Sequence, residues 1–350
     1  MAKKLKIGVI GTGGISRSQH IPGWQRVADA EIVAVCDVNE QAAISTADQN
    51  GIPHACADFR ELVKIDEIDI VDICTPNRVH TPAALAAFKQ GKHVICEKPL
   101  AVTVREVKQM QKAAEEAGTL LMTAQHMRYT GQSVAIKRFL DQHPLGDVYH
   151  GRVHALRRNL LPVSPGFIDP NLSGGGPCMD IGVHALDAAM WMMGFPMPVR
   201  VSGSVRTNFA KGYDIPGGWG EWDRKLFGVE DYASGFVHFD NGATLVLEAS
   251  WLQHQHEKQD FSIRLFGTKG SVNWPDGVYC SAANGTLVDT TIQALNVQSA
   301  HGDEIKAFAA AVRKGGPSPV PVEETIKVIA ILEGIVRSSA KGGREVAINL

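Results

Sequence analysis

Two patterns of hydrophobic spacing follow one another along this 350-residue chain. Together they predict an α/β fold, a doubly wound parallel sheet followed by an α+β domain on a mainly antiparallel sheet. Up to about residue 124, short and nearly continuous apolar runs alternate with helical patterns, as in a parallel sheet covered on both faces. Beyond that point the runs lengthen and alternate apolar with polar residues, as in a sheet with one buried face. The third observation is a glycine turn, Gly11-x-Gly13-x-x-Ser16, between the first run and the first helical pattern.

The strand runs of the first part are expected at 7–10, 31–36, 68–73, 93–96 and 120–123. Helices are expected between them at 16–27, 40–50, 82–90 and 104–117. The second part opens with a helix at 132–142. Strands are expected at 148–157, 199–208, 233–239, 243–251, 259–266 and 271–274. Asn241-Gly242 marks a hairpin, and Gly267-Thr268-Lys269-Gly270 marks a second turn. One helix at 178–193 interrupts the sheet, and two more, at 303–313 and 323–341, close the chain. At roughly 100–200 residues per domain the length suits two domains. These are expected at 1–124 and 125–350, with the C-terminal helices able to pack back on the first.

Composition narrows the class. Hydrophobic residues make up 44% and charged residues 21%, enough for a sizeable core. Net charge is -2 with no basic block, so no nucleic acid is expected as partner. No run of ~18 apolar residues occurs, so no membrane span is expected. The apolar stretch 5–10 is too short for a signal-peptide core and reads as a first buried strand. Cys36, Cys56, Cys74, Cys96, Cys178 and Cys280 show no C-x-x-C spacing. They read as reduced thiols of a cytoplasmic protein.

The glycine turn has the form of a Rossmann dinucleotide fingerprint. Gly11 permits the tight turn, Gly13 lets the backbone approach a pyrophosphate, and Ser16 replaces the usual third small residue. Asp37 ends the second strand, 24 residues beyond Gly13, close to the ~20 expected for a ribose-binding acid. Val38 and Asn39 follow it, with no arginine for a 2′-phosphate. The expected cofactor is therefore NAD rather than NADP. Two further strand ends carry unusual residues, Thr75-Pro76-Asn77-Arg78-Val79-His80 and Glu97-Lys98-Pro99. Asn77 reads as a helix N-cap that can also face a nicotinamide ribose. Lys98, held between a strand end and a proline, can stabilise developing negative charge.

In the second part, Asp180, His184 and Asp187 fall on one face of the helix at 178–193, opposite Ile181, Leu186 and Ala189. An isolated pair of this kind is more often a satisfied core contact. Beside a nucleotide fold, His184 suits the base that takes a hydroxyl proton, with Asp180 orienting it. The stretch 209–228 reads as a long loop bearing Tyr213, Trp219 and Trp222 with Asp214, Glu221 and Asp223. It suits either sugar stacking or a lid or subunit contact. His254-x-His256 lacks a third ligand at useful spacing, and no metal is expected.

These residues taken together resemble the glucose–fructose oxidoreductase, inositol dehydrogenase and MocA-like (Gfo/Idh/MocA) family. The resemblance rests on Gly11-x-Gly13-Gly14-Ile15, Thr75-Pro76-Asn77-x-x-His80, Glu97-Lys98-Pro99, Asp180-x-Gly182-x-His184-x-x-Asp187 and Gly267-Thr268-Lys269-Gly270. It implies a Rossmann domain and a second domain with a large open sheet used for subunit contacts, hence a homodimer or homotetramer. The implied cofactor-binding set is Gly11, Thr12, Gly13, Gly14, Ile15, Asp37, Val38, Thr75, Pro76, Asn77, His80, Glu97 and Lys98. The implied catalytic set is Lys98, Asp180 and His184, with Arg128, Arg157 and Trp219 joining them at a carbohydrate or polyol substrate. The implied activity is an NAD-dependent sugar or cyclitol dehydrogenase. An NAD-retaining glycoside-cleaving enzyme and a non-catalytic NAD-dependent regulator are the alternatives.

Overall fold

The computed structural model describes residues 3–212, 215–294 and 299–350. The chain forms two compact units, residues 1–129 with 298–325 and residues 130–297 with 326–350. The first segment of the first unit ends at Tyr129. The single helical turn His126–Tyr129 belongs to the first unit because it packs on the helix over 300–314, where His126 stacks on His301.

The first unit holds six parallel strands: β1 (Leu5–Ile10), β2 (Ala30–Cys36), β3 (His54–Cys56), β4 (Ile70–Ile73), β5 (His93–Cys96) and β6 (Leu121–Thr123). Their order is β3-β2-β1-β4-β5-β6, the doubly wound order whose switch point lies between β1 and β4. The crossover helices are α1 (Ile21–Gln25), α2 (Glu40–Asn50), α3 (Phe59–Leu62), α4 (Asn77–Lys89) and α5 (Val104–Ala117). β3 went unforeseen because it is a three-residue edge strand, half exposed, with no apolar pattern. α4 begins five residues before its expected start and carries Pro82 inside it. The core joins Ile7, Val9, Trp24, Ile70, Ile95 and Met122 to Ile305 and Phe308.

A widened π turn over Ser16–His20 leads into α1. Pro22 has no N–H to give the carbonyl four residues back. Ile21 instead donates to Ser16, and the wider turn accommodates the loss.

The second unit begins with α6 (Gly131–Gln142) and β7 (Val148–Arg157). Two short turns, α7 (Pro165–Ile168) and α8 (Pro170–Ser173), precede α9 (Val183–Met192). The remaining strands are β8 (Pro198–Arg206), β9 (Tyr232–Phe239), β10 (Thr244–Ser250), β11 (Gln259–Gly267), β12 (Ser271–Trp274), β13 (Val278–Ala283), β14 (Thr286–Thr291) and β15 (Val346–Ala347). They form one nine-stranded sheet, β14-β13-β12-β11-β7-β10-β9-β8-β15. β7 and β10 run parallel, and every other neighbouring pair is antiparallel. α10 (Ala300–Lys314) returns to the first unit, and α11 (Val322–Ser339) leads back to the second.

One sheet face buries Val153, Val237, Leu245, Leu247, Ile263 and Leu265, and α9 packs on it through β7 and β11. By register the other face presents Phe236, Val246, Arg152 and Arg264 in a row, with Phe266 two residues along β11 from Arg264. β13 and β14 were not expected, since β14 is exposed along its length and has little apolar content. The local signal was Asn284-Gly285, both at positive φ as a type I′ hairpin requires.

Candidate active site

Gly11 follows β1 at φ +94, and a Cβ there would run into the Cys74 carbonyl. Only glycine lets the turn pass so close to the end of β4. At Gly13 and Gly14, by contrast, a Cβ would meet no heavy atom within 4 Å. The backbone there faces open space at the start of a helix, which fits a pyrophosphate laid on main-chain N–H groups. Asp37 is oriented beside this turn: its Oδ2 accepts from the Thr12 N–H at 2.8 Å and the Thr12 hydroxyl at 3.0 Å. Its Oδ1 accepts from Asn39 N–H at 3.0 Å. Ile15 is half exposed and Val38 almost fully so, at 94%.

At the ends of β4 and β5 several of the expected residues have partners within the chain. Asn77 is the first helical residue of α4, and the cap position is Pro76. His80 is fully buried, with Nδ1 2.8 Å from the Pro99 carbonyl and Nε2 2.9 Å from the Thr75 carbonyl. Both ring nitrogens are committed, so His80 ties the two strand-end loops together. Glu97 is likewise committed. Its Oε1 lies 2.9 Å from His20 Nε2, and its Oε2 accepts the Lys98 main-chain N–H at 3.0 Å. Its role is to hold the Lys98 backbone. Arg128 is buried and ion-paired through Nη1 with Glu324, which braces the first unit.

The Asp–His segment differs from the amphipathic helix expected. Residues 178–182 form a π turn running into α9, and every residue from Cys178 to Met190 is buried. A helix apolar and buried all round belongs to a core, and Asp180, His184 and Asp187 are polar groups set inside it. Asp180 is held by strand residues: the Trp251 indole N–H donates to its Oδ2 at 3.0 Å, and Arg157 Nη1 lies 4.0 Å from the same oxygen. The segment's start is tied down by Glu230, whose carboxylate accepts from Gly176 N–H at 2.9 Å and Cys178 N–H at 3.1 Å. Burial pushes the Glu230 carboxyl above its usual range, against the lowering effect of these bonds. Gly182 lets the helix approach β10, where an added Cβ would stand 3.3 Å from Ala249 Cβ.

The described part of 209–228 has no strand or helix. Tyr213 and Asp214 lie outside the described residues. Trp222 is buried and donates its indole N–H to Ala210 at 2.8 Å, so it is core rather than a stacking platform. Asp223 caps the turn at Lys225 and Leu226. Trp219 is half exposed, with the Arg157 guanidinium 4.8 Å from its ring centre. Burial lowers the Arg157 pKa, and the nearby Asp180 carboxylate opposes the shift. His254 and His256 line an open surface pocket of about 490 Å³ with Arg158 and Lys258. Those cationic neighbours disfavour a metal ion there.

Sequence reasoning missed His20, Asp72, Trp251 and Glu230. Asp72 carried a readable signal, because a carboxyl inside an apolar strand needs a partner. Trp251 and Glu230 carried none, since their partners lie more than 50 residues away.

Comparison with known proteins adds a second line of observation. Residues 5–125 match the description "Oxidoreductase family, NAD-binding Rossmann fold", and 133–273 match the Gfo/Idh/MocA C-terminal domain. A D-glucoside 3-dehydrogenase from Escherichia coli K12 is 30% identical over 98% of this chain and 97% of its own length. This chain belongs to the Gfo/Idh/MocA oxidoreductase family. The family's fold is shared with an oxidoreductase domain protein from Kribbella flavida at a TM-score of 0.86 and 24% identity, covering 99% of this chain and 100% of that one. A levoglucosan dehydrogenase solved with NADH superposes at 0.83 and 24% identity, with the same coverage. As a member of this family the chain is an NAD-dependent oxidoreductase with an N-terminal NAD-binding domain. No helix among the described residues is long and apolar enough to cross a membrane.

Proposed function

We propose that this oxidoreductase moves a hydride between a secondary hydroxyl or anomeric carbon of a sugar, glycoside or cyclitol and nicotinamide. His184 acts as acid/base, and Lys98 and Asp180 assist. The observation that carries this reading is that the chain keeps a lysine and a histidine, each built into a supported setting. Lys98 follows a carboxylate that holds its main chain, and His184 shares a buried helix with Asp180, itself held by Trp251. Bound NAD supplies the hydride acceptor. The open backbone at Gly13 and Gly14 supports pyrophosphate binding there, with Thr12, Ile15, Val38, Thr75, Pro76 and Asn77 around the nucleotide. The Asp37 carboxylate supports NAD over NADP, since it repels a 2′-phosphate and accepts ribose hydroxyls.

His184 takes the hydroxyl proton as the hydride leaves. Lys98 stabilises the negative charge growing on that oxygen. Asp180, Arg157 and Trp219 support recognition of neighbouring hydroxyls and of the ring face. The relation to a D-glucoside 3-dehydrogenase favours the ring C3 hydroxyl of a glucoside. The open face of the nine-stranded sheet, which exposes Phe236 at 40% beside Val246, supports a homodimer or homotetramer, to be read by light scattering.

The test is a panel of glucosides, aldoses and inositols with NAD or NADP, followed by NADH or NADPH absorbance. Growth with a glucoside and NAD is expected. Release of aglycone without net NADH identifies the cofactor-retaining glycoside-cleaving alternative. Binding of NAD with no turnover on any substrate overturns the dehydrogenase reading.

A further inference from the structure

Asp72 occupies β4 between isoleucine and valine neighbours and is fully buried. A carboxyl group so placed is strongly destabilising unless paired and hydrogen-bonded. Its partners come from the π turn, from α1 and from Cys74, whose Sγ lies 3.5 Å from Oδ1. His20 Nδ1 lies 3.0 and 2.9 Å from its two oxygens, and the Trp24 indole N–H donates to Oδ2 at 2.7 Å. His20 Nε2 reaches Glu97 Oε1 at 2.9 Å, and Glu97 Oε2 accepts the Lys98 N–H at 3.0 Å. The π turn ending at His20 belongs to the same arrangement.

Both nitrogens of His20 therefore face carboxyl oxygens. A neutral imidazole has one N–H for these two contacts, whereas an imidazolium satisfies both. Burial alone would drive His20 down, but the Asp72 carboxylate and its hydrogen bond raise it well above its usual value. Burial would raise Glu97, but the hydrogen bond and charge of His20 hold it at about 2. The other groups facing His20 are Cys74, whose thiol burial pushes far up, and His301 of α10, 6.3 Å away between ring centres. His126 stacks on His301. Burial holds His301 down to about 4, and burial together with His301 holds His126 to about 3. Both are neutral near pH 7.

We propose that His20, an imidazolium clamped between Asp72 and Glu97, is a positioning residue for Lys98. It fixes the carboxylate that holds the Lys98 main chain, while His80 fixes the next residue through the Pro99 carbonyl. The link from the core of β4 to the Lys98 loop is thus a carboxyl–imidazolium–carboxylate relay. This rests on the reading that Lys98 takes part in the reaction.

The experiment compares full-length His20→Gln, Glu97→Gln, the double variant and Lys98→Ala. Each is measured for kcat, KM, NAD affinity by titration, melting temperature and the pH dependence of kcat. His20→Gln removes the cation between two buried carboxylates. Its kcat is expected to fall about 10–100-fold, with NAD affinity within about threefold of the parent. The double variant, with two neutral amides, is expected to lose far less than the product of the single losses. The parent should lose activity on the alkaline side as the imidazolium gives up its proton. Glu97→Gln should move that loss to lower pH, because one carboxylate supporting the charge is gone.

Parent-like kcat and pH profile in a folded His20→Gln overturn the relay. So does strict additivity in the double variant. If His20→Gln does not fold, Glu97→Gln alone decides: an unshifted alkaline limb overturns the proposal, and a shifted one upholds it. Retained turnover in Lys98→Ala overturns the dehydrogenase roles instead, which separates the two failures.

Discussion

In the first unit Lys98 sits in a loop at the end of β5, held through main-chain contacts of its neighbours, whereas in the second His184 lies in a helix buried on every side. The loop depends on a few polar links, namely His20 to Glu97, Glu97 to Lys98 N–H and His80 to Pro99. The helix depends on packing, with a small number of polar groups sewn in by Trp251, Arg157 and Glu230. The contrast teaches that the two settings fail differently. Removing a charge or donor disturbs the loop with little change in volume, while the helix responds first to what it is packed against.

The largest expected effects are shared by both regions. Lys98→Ala and His184→Ala should each lower kcat by about 10²–10⁴-fold while NAD still binds, as checked by steady-state rates beside cofactor titration. A large loss in one variant only would mean that the chemistry belongs to one unit. Next comes the glycine turn, where two neighbouring residues should part company. Gly11→Ala is expected to cost about 1–3 kcal/mol from its left-handed backbone and to lower the melting temperature. Gly13→Ala has open space around it, so it should leave the melting temperature near the parent's and weaken NAD binding. Equal melting losses would show that Gly13 is structural.

Trp251→Phe keeps the ring and removes the N–H to Asp180. A loss of about 1–2 kcal/mol and a moderate drop in kcat are expected from denaturant melts and rate assays. Unchanged kcat would place Asp180 outside the reaction. The pH dependence of stability distinguishes the loop from the helix. His20 has a raised folded pKa, so its contribution is complete below about pH 6.5 and is lost as pH rises through the raised value. Glu97, held at about 2, contributes above about pH 4.5 and loses its share as pH falls toward 2. Melting curves from acid to alkaline pH should show both losses in the parent, and His20→Gln should lack the alkaline one. The smallest effect is expected of Trp219→Ala, a rise in KM of a few-fold with kcat nearly kept, in line with a stacking contact of about 1 kcal/mol.

The parallel sheet, the glycine turn and the Asn241-Gly242 hairpin were legible because each is encoded over a few adjacent residues. Spacing of apolar side chains sets buried strands, and a positive φ calls for glycine. The edge strands β3 and β14 were not legible, since an edge needs little apolar content to pair with its one neighbour. Site residues divided the same way. Gly11, Asp37, Lys98, Asp180 and His184 stood out by type and spacing. Arg128, His80, Glu97 and Trp222 were named as well, but their partners turned out to be Glu324, the Pro99 and Thr75 carbonyls, His20 and the Ala210 carbonyl.

Local order along the chain was thus enough to establish the two sheet types and the glycine turn, and to single out residues of a type that can do chemistry. Which of those residues are spent on holding others was settled by folding alone. A buried polar group must find its partner wherever the chain brings one within about 3 Å, and Asp72 found His20 some 50 residues away. Sequence spacing carries no record of such distances.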